Sequence, residues 1–415
     1  MSQAIEIRID DIDIGTSSRP VISDFDVVAS YNWLDEKDPT VLVPGLPPVW
    51  KAPVSNPVLT EDTGPKYIDQ NADRNPSSPL EALLVAVNAT SKDFNYKSID
   101  IISDRSPIRK LLGFVAPEYS DAKKTGVTSF SILIEVVGDT VIFNRCQSAT
   151  RQTDGIIGYR SAFDKHYLKI SASAGKSTSH HRILRYNFGG LNFLIRFAID
   201  ALLPTELPDR ADDSHTKDVD EDVLVDLLRS TALNSSPTSS KEKNVGVRHG
   251  GQLMPQSAML EIITRNDKYP YEIDRRLPDL WISQTQHFLR AHWRPIWKKR
   301  QWPPSQTVGR QAQFHEFHHT ATASLTEKWE EDNEDVLKKL AGVCQMIVEK
   351  AKEMKHPIMA SFSGVHGDPL VLEPLKEGEQ YPSPSEKMKA LFMTETAERQ
   401  DHVAVDDEAY LADKE

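Results

Sequence analysis

The sequence predicts an α/β fold in which a mixed β-sheet core is flanked by helices. One observation is a hairpin signature, because "TSFSILIEVVGDTVIFNRC" holds two β-branched runs around Gly138-Asp139. A second is "TEKWEEDNEDVLKKLAGVCQMIVEKAKEMK", whose apolar residues recur at helical spacing. A third is a pair of short apolar runs, "LNFLIRFAID" and "AMLEIITR", which are typical of buried strands.

The remaining elements alternate between strands and helices along the chain. Residues 79–92 have the apolar spacing of a helix, and "SIDIISD" is a predicted strand. "PIRKLLGFV" is a short helix that begins with Pro107 in its first turn. Residues 155–170 are helical or mixed, and "DLWISQTQHFLRAHW" contains a further strand.

Composition indicates a soluble protein of the cytoplasm or the nucleus. The 415 residues are 39% hydrophobic and 27% charged, and no apolar run approaches the roughly 18 residues of a membrane span. The N-terminal sequence is too acidic for a signal peptide, and two cysteines exclude a disulfide framework. The net charge of −12 argues against a generally basic nucleic-acid-binding surface.

Three regions are expected from changes in composition. Residues 1–75 form an extended Pro-rich segment, in which "TVLVPGLPPVW" is an edge piece. Residues 76–356 form a single α/β domain, interrupted by an acidic, Ser-rich and disordered insertion at 206–251. Residues 357–415 lose periodicity and are expected to be mostly disordered. From residue 371 onward, twelve acidic residues face five basic ones, a net charge of −7.

Each of the two apolar runs holds one carboxylate, Asp200 in the first and Glu261 in the second. A buried unpaired carboxylate costs several kcal/mol, so it usually has a cation or a hydrogen-bond network beside it. Metal-dependent phosphodiesterases build divalent-cation sites in this way. The alternative is that both residues lie at strand ends and face water.

A basic stretch interleaved with aromatic residues is a second candidate site. "HFLRAHWRPIWKKRQW" includes Arg290 and Arg294 together with three tryptophans, and no acidic residue lies between Asp279 and Glu316. Guanidinium groups beside stacking aromatic rings suit single-stranded nucleic acid. The alternative is an ordinary basic loop whose tryptophans pack into the core.

The order of these segments resembles the decapping exoribonuclease (DXO-type) family, over roughly residues 98–355. The resemblance implies a fold related to the PD-(D/E)XK nucleases and an activity on RNA 5′ ends. It also implies Mg²⁺ or Mn²⁺ as cofactor, with an RNA 5′ end or a nucleotide as the binding partner. A protein partner is left open, and no membrane partner is expected.

The resemblance assigns roles to four residues. Arg105 in "SDRSPIRKLL" matches an arginine that contacts the RNA 5′ end. Asp164 in "GYRSAFDKHY" matches a metal-ligand position that is normally Glu. Asp200 matches the Asp of an E-x-D motif, and Glu261 matches the Glu of an E-x-K motif. The implied metal ligands are therefore Asp164, Asp200 and Glu261.

Two departures from the family pattern put the implied activity in doubt. Ala198 stands where E-x-D should begin, and Ile263 stands where E-x-K should end. The carboxylates of such a site hold two cations, and the lysine orients or activates the attacking water. Arg265 shares a strand face with Glu261 and is the first candidate to replace the lysine, although an arginine is a poor base.

Two hypotheses therefore remain open from the sequence. In the first, the protein is a divalent-metal-dependent RNA hydrolase with catalytic residues Asp200, Glu261 and Arg265. In the second, it is a catalytically degenerate relative that binds RNA, a nucleotide or a protein. The residues at positions 198 and 263 favour the second hypothesis, whereas the three carboxylates favour the first.

Overall fold

The computed structural model describes residues 4–12, 19–119, 129–153, 158–207, 245–269, 272–296 and 310–393. The strands in chain order are β1 (Ile5–Ile7), β2 (Ser23–Leu34), β3 (Thr40–Gly45), β4 (Val49–Trp50), β5 (Val58–Thr60), β6 (Lys66–Tyr67), β7 (Ile101–Asp104), β8 (Phe130–Val137), β9 (Thr140–Arg145), β10 (Arg151–Gln152), β11 (Leu168–Lys169), β12 (Ser177–Phe188), β13 (Leu191–Ile199), β14 (Ala201–Leu202), β15 (Gly246–Gly251), β16 (Met259–Asn266), β17 (His287–Ile296), β18 (Gln311–Ala321), β19 (Ile358–Phe362) and β20 (Leu370–Pro374). The helices are α1 (Gln70–Arg74), α2 (Glu81–Thr90), α3 (Arg105–Val115), α4 (Arg160–Tyr167), α5 (Leu277–Ile282), α6 (Ala323–Asp332), α7 (Glu334–Met354) and α8 (Glu386–Lys389).

Two large sheets organise these strands. The larger sheet has the order β1-β20-β19-β8-β9-β7-β13-β12-β2-β3-β15, and the smaller has the order β11-β4-β14-β16-β17-β18-β5. Both sheets are mixed, because β7 is parallel to β9 and β13, and β16 is parallel to β17, whereas most other neighbours are antiparallel. A mixed sheet core flanked by helices confirms the predicted fold class.

The apolar core lies on both faces of the larger sheet, because successive side chains of a strand point to opposite sides. On β13, Phe193 and Ile195 face the core that contains α3 and α7, whereas Leu194 faces the core that contains α2. A third cluster joins α4 to one face of the smaller sheet through Phe163, Leu260 and their neighbours. Among the described residues, no helix is long and apolar enough to span a membrane.

Most of the expected elements form where the periodicity places them. The hairpin is β8–β9, in which Val137 is opposite Thr140 across the turn at Gly138-Asp139. The "PIRKLLGFV" helix is α3, which begins two residues earlier at Arg105. The long C-terminal helix divides at Asn333 into α6 and α7. The Asn333 side-chain amide donates to the Trp329 carbonyl oxygen (2.7 Å), in competition with the helix backbone.

Strands from both the N-terminal and the C-terminal segments belong to the larger sheet, in contrast to the sequence expectation. In the N-terminal segment, β2 pairs with β12 and is the third strand from the β15 edge, and β3 lies between β2 and β15 and not at an edge. At the C-terminal end, β19 pairs with β8 and β20 pairs with β1. The expected disorder is therefore wrong for residues 358–374, whereas residues 394–415 lie outside the described residues.

The expected insertion at 206–251 is described only at its ends. Residues 208–244, which include the predicted short helix "DEDVLVDLLRS", lie outside the described residues. Its last six residues form β15, which pairs in parallel with β3. This strand returns the chain to the sheet edge, so its six residues are part of the fold.

The junction between β3 and β15 depends on a glycine. Gly251 has φ +84°, and a Cβ there would lie 2.2 Å from the carbonyl oxygen of Gly45. Gly378 has a similar φ of +81°, but a Cβ there would meet nothing within 4 Å. Both positions disfavour an L side chain by about 1–2 kcal/mol, and only Gly251 adds a backbone clash.

We expect Gly251→Ala to lower the free energy of unfolding by about 2 kcal/mol more than Gly378→Ala does, because the β3 and β15 backbones must separate. Urea denaturation of the two variants measures the difference. Equal losses would show that the close approach of β3 and β15 does not contribute to stability.

Candidate functional site

Helix α4 positions Asp164 against the smaller sheet. The Asp62 carboxylate accepts hydrogen bonds from the backbone amides of Ser161 and Ala162 (2.9 Å each), and so caps the start of the helix. Phe163 is fully buried in the cluster that α4 shares with β16. The two contacts fix the helix along its length, and they set Asp164 near the point where the two sheets meet.

Asp200 lies at that meeting point, between β13 of the larger sheet and β14 of the smaller sheet. β14 is antiparallel to β16, with Ala201 opposite Leu260. Beyond this short ladder, the Asp200 carboxylate accepts a hydrogen bond from the Ile262 amide (2.6 Å). Asp200 directly precedes β14, and its side chain extends the pairing with β16 by one further backbone group.

Arg160 joins Asp164 to Asp200. Its Nε donates to both carboxylate oxygens of Asp164 (2.8 and 2.9 Å), and its Nη2 lies 2.7 Å from Oδ1 of Asp200. Its Nη1 donates to the backbone carbonyl oxygen of Ile262. The structure thus brings together two of the three predicted metal ligands, and it does so around a guanidinium group.

The two carboxylates share one positive charge. Burial raises the pKa of the Asp164 carboxyl to about 6, with the Arg160 guanidinium opposing that shift and the Asp200 carboxylate adding to it. Burial alone would lower the pKa of Arg160, but the charges of Asp200 and Asp164 outweigh it and raise that pKa. Arg160 is therefore a permanent cation.

Glu261, the third predicted ligand, belongs to a different arginine cluster. Its carboxylate lies 2.7 Å from Nη1 of Arg105 and 3.6 Å from Nη1 of Arg276. Arg276 also pairs with Asp279 (3.3 Å), and Arg109 reaches the same carboxylate (3.5 Å). Among these five groups, three guanidiniums meet two carboxylates, so the cluster carries an excess of one positive charge.

Burial raises the pKa of the Asp279 carboxyl, but Arg105, Arg109 and Arg276 outweigh this effect and lower that pKa. The carboxylate consequently remains ionised at neutral pH. The side chains of Arg105 and Arg276 are 20% and 31% exposed.

The remaining predicted residues lie along the same sheet face as Glu261. Ile263 is opposite Arg290 and Arg265 is opposite His292 in the parallel β16–β17 pair. Residues two apart on a strand share a face, so Arg265, Arg290 and the exposed Arg294 line up on the Glu261 side. We call this surface the arginine face; it consists of Arg105, Arg265, Arg276, Arg290 and Arg294. Lys298, Lys299, Arg300, Trp297 and Trp302 of the basic stretch lie outside the described residues.

The side chains do not fit a divalent metal as they are arranged. Among the described residues, no group of three or more His, Cys, Asp and Glu side chains is placed to hold a metal ion. Asp164 and Asp200 are held by Arg160, and Glu261 is held by Arg105 and Arg276. The three carboxylates implied as ligands are thus distributed between two sets of guanidiniums.

The two departures from the family motif have different surroundings. Ala198 is exposed on β13, whereas the Ile263 side chain packs against the largest apolar cluster. A longer polar side chain has space at position 198. At position 263, an apolar contact occupies the place where the family pattern has a lysine.

Sequence reasoning missed the partners of the carboxylates. Arg160 precedes Asp164 by four residues, and an Arg–Asp pair at this spacing on a helix is a recognisable signal. Arg105 and Glu261 are 156 residues apart, and no local pattern joins them. The same is true of Arg109 and Asp279.

A buried ion pair fixes the backbone from which Arg105 projects. Arg196 of β13 is fully buried, and it donates from Nε and Nη2 to the two carboxylate oxygens of Asp104 (2.6 and 2.9 Å). Its Nη1 donates to the Pro79 carbonyl oxygen (2.8 Å). Asp104 is the last residue of β7, directly before α3 and Arg105, so this network fixes the end of the strand from which Arg105 projects.

Comparison with known proteins places the chain in a family. A family model described as a domain of unknown function, DUF8563, matches residues 3–362. The chain belongs to the DUF8563 family. No curated protein sequence matches it significantly.

Solved structures show which fold this DUF8563 protein has. Scheffersomyces stipitis Rai1, in complex with (3′-NADP)⁺ and calcium ion, is similar with a TM-score of 0.53 and 10% identity, over 94% of this chain and 98% of that one. Candida albicans Rai1, in complex with pU5 and Mn²⁺, has a TM-score of 0.52 and 9% identity, over 94% and 99%. K. lactis Dxo1, in complex with manganese, has a TM-score of 0.50 and 11% identity, over 91% and 99%.

These similarities confirm that the DUF8563 protein has the decapping exoribonuclease fold. The match also extends beyond the 98–355 range inferred from the sequence, because each of the three structures covers more than nine-tenths of this chain. At such low identity the likeness establishes the fold alone.

Proposed function

We propose that this protein binds the phosphate-bearing 5′ end of RNA, as a catalytically degenerate relative of the decapping exoribonucleases. The observation that carries the proposal is the arginine face. Two of its guanidiniums contact Glu261, and the others continue from there along β16 and β17. A guanidinium presents paired N–H donors that match phosphate oxygens.

The local charge favours an anionic ligand despite the net charge of −12 for the chain. The contacts of the cluster join three guanidiniums, Arg105, Arg109 and Arg276, to two carboxylates, Glu261 and Asp279. Arg294 is exposed further along β17. Phosphate contacts of this kind dominate nucleic-acid affinity and are weakened by salt. The Candida albicans Rai1 structure is a complex with pU5 and Mn²⁺, so a protein of this fold binds pU5 together with that metal.

The same geometry argues against metal-dependent hydrolysis. Two-metal catalysis needs carboxylates that are free to coordinate cations on both sides of the scissile phosphate. Here Asp164 and Asp200 share Arg160, and Glu261 pairs with Arg105. The hydrolase hypothesis also requires a lysine or its equivalent where Ile263 packs against the core.

We expect wild-type protein to bind 5′-monophosphorylated oligouridylate in the presence of EDTA, with an affinity that falls steeply between about 50 and 200 mM salt. Arg290→Ala and Arg294→Ala should each raise the Kd about ten-fold, because each removes a charged hydrogen-bond donor to phosphate. Fluorescence anisotropy of a labelled oligonucleotide gives these constants. Arg8→Ala is the matched control, because Arg8 follows β1 at the far edge of the larger sheet and pairs with Glu6.

A 5′-hydroxyl oligonucleotide of the same sequence tests recognition of the end, and its Kd should be at least about ten-fold higher. Equal binding of the two oligonucleotides would limit the proposal to general RNA binding. Binding that is insensitive to both arginine substitutions, or that requires Mn²⁺, would contradict it.

A further inference from the structure

The Arg160 guanidinium lies in a cage of oxygen atoms. The cage consists of both carboxylate oxygens of Asp164, Oδ1 of Asp200 and the carbonyl oxygen of Ile262. Carboxylate and backbone carbonyl oxygens are the ligands that Mg²⁺, Mn²⁺ and Ca²⁺ prefer. The cage therefore has the donor chemistry of a divalent-cation site, and a side chain of the protein occupies it.

We propose that Arg160 is a built-in cation that takes the place of a divalent metal in this cage. An arginine side chain keeps its proton under all physiological conditions, and it is covalently attached to α4. Unlike a metal ion, it neither dissociates nor exchanges with solvent. The cage is thus permanently closed to metals in the wild-type protein.

The guanidinium also has a structural role that explains its three-way contact. The pairing of β14 with β16 ends at Leu260, and the next backbone groups at the open edge belong to Ile262. The Ile262 amide donates to Asp200, and the Ile262 carbonyl accepts from Arg160. Arg160 and Asp200 together supply the hydrogen-bond partners that the buried amide and carbonyl of Ile262 require. The same contacts attach α4 to this strand edge.

The charge balance of the cage is consistent with Arg160 in the place of a divalent ion. Two carboxylates carry two negative charges and one guanidinium returns a single positive charge. A divalent ion in the same position would neutralise both carboxylates.

We therefore expect Arg160→Ala to uncover a metal site. Two carboxylates and one carbonyl oxygen would remain convergent, with water completing the coordination sphere, as is usual for Mg²⁺ and Mn²⁺. Titration with MnCl₂, followed by calorimetry and by the loss of the free Mn²⁺ paramagnetic resonance signal, should show one ion bound. The Kd of Arg160→Ala for Mn²⁺ should be at least about ten-fold lower than the Kd of the wild-type protein.

Two variants identify the cage as the location of the ion. Arg160→Ala combined with Asp200→Asn should lose the binding, because one carboxylate is removed while the uncovered space remains. Arg8→Ala should behave as wild type, because its ion pair with Glu6 is exposed. The readout is metal binding by the protein alone, so it is independent of whether the arginine face binds RNA.

Thermal denaturation keeps the test decisive if Arg160→Ala folds poorly. A metal that binds only the folded state raises the melting temperature. We expect Mn²⁺ at about 1 mM, a concentration on the order of the Kd of a weak site, to raise the melting temperatures of Arg160→Ala and Arg160→Gln. The melting temperature of the wild-type protein should not change. The proposal is overturned if neither variant binds or is stabilised by Mn²⁺, or if wild type binds one Mn²⁺ that Asp200→Asn abolishes.

Discussion

Replacing Arg196 with alanine is expected to lower the free energy of unfolding by about 3–5 kcal/mol, the usual loss when one partner of a buried ion pair is removed. Arg196 is fully buried and donates two hydrogen bonds to Asp104, one to the Pro79 carbonyl oxygen and one to the Tyr31 hydroxyl. The variant leaves the Asp104 carboxylate, whose side chain is 14% exposed, without its counterion. Urea denaturation followed by far-ultraviolet circular dichroism measures the loss.

Two further variants separate the ion pair from the volume of the side chain. Arg196→Met combined with Asp104→Leu removes both charges and should recover part of the stability lost in Arg196→Ala, because no uncompensated charge remains. Arg8→Ala, which removes an exposed pair, should change stability by no more than about 0.5 kcal/mol. A loss below about 1 kcal/mol for Arg196→Ala would show that water reaches Asp104 and replaces the arginine.

Hydrolytic activity is expected to require three simultaneous changes. Wild-type protein should show no Mn²⁺-dependent hydrolysis of 5′-monophosphate RNA above background. Ala198→Glu with Ile263→Lys restores the residues of the family motif, but Arg160 still fills the oxygen cage. Only the triple variant with Arg160→Ala should raise the rate, on the order of 10²-fold over wild type, because ligand, lysine and metal act as one unit.

Release of labelled mononucleotides, measured with Mn²⁺ and with EDTA, tests this expectation. Asp200→Asn in the triple variant is the control, and it should return the rate to background. Robust wild-type turnover that Glu261→Ala abolishes would support the hydrolase hypothesis instead, and Arg265 would then be the residue to examine as a replacement for the lysine. Wild-type turnover that Glu261→Ala leaves unchanged would point to a contaminating nuclease.

The confirmed predictions share one physical property, which is that they rest on local periodicity. The β8–β9 hairpin follows from two β-branched runs around Gly138-Asp139, and α2 and α3 follow from apolar residues at helical spacing. The prediction that residues 357–415 are mostly disordered is wrong for β19 and β20. β19 and β20 are each five residues long, too short for an alternating pattern to stand out, and their burial depends on β8 and β1.

The sequence by itself determined the fold class, the elements that have a clear local period, such as the β8–β9 hairpin and α3, and the presence of one carboxylate in each of two apolar runs. Side-chain periodicity and element order carry that information, because each is decided by neighbours along the chain. The sequence also shows that positions 198 and 263 depart from the family motif.

Only the tertiary structure decided what those carboxylates contact. Asp200 meets Arg160 and Glu261 meets Arg105 across long stretches of chain, where the two sheets and α3 come together. Whether a buried carboxylate takes a metal ion or a guanidinium depends on which positive charge the fold brings within about 3 Å of it. That distance is set by packing between distant segments, so no local pattern of residues specifies it.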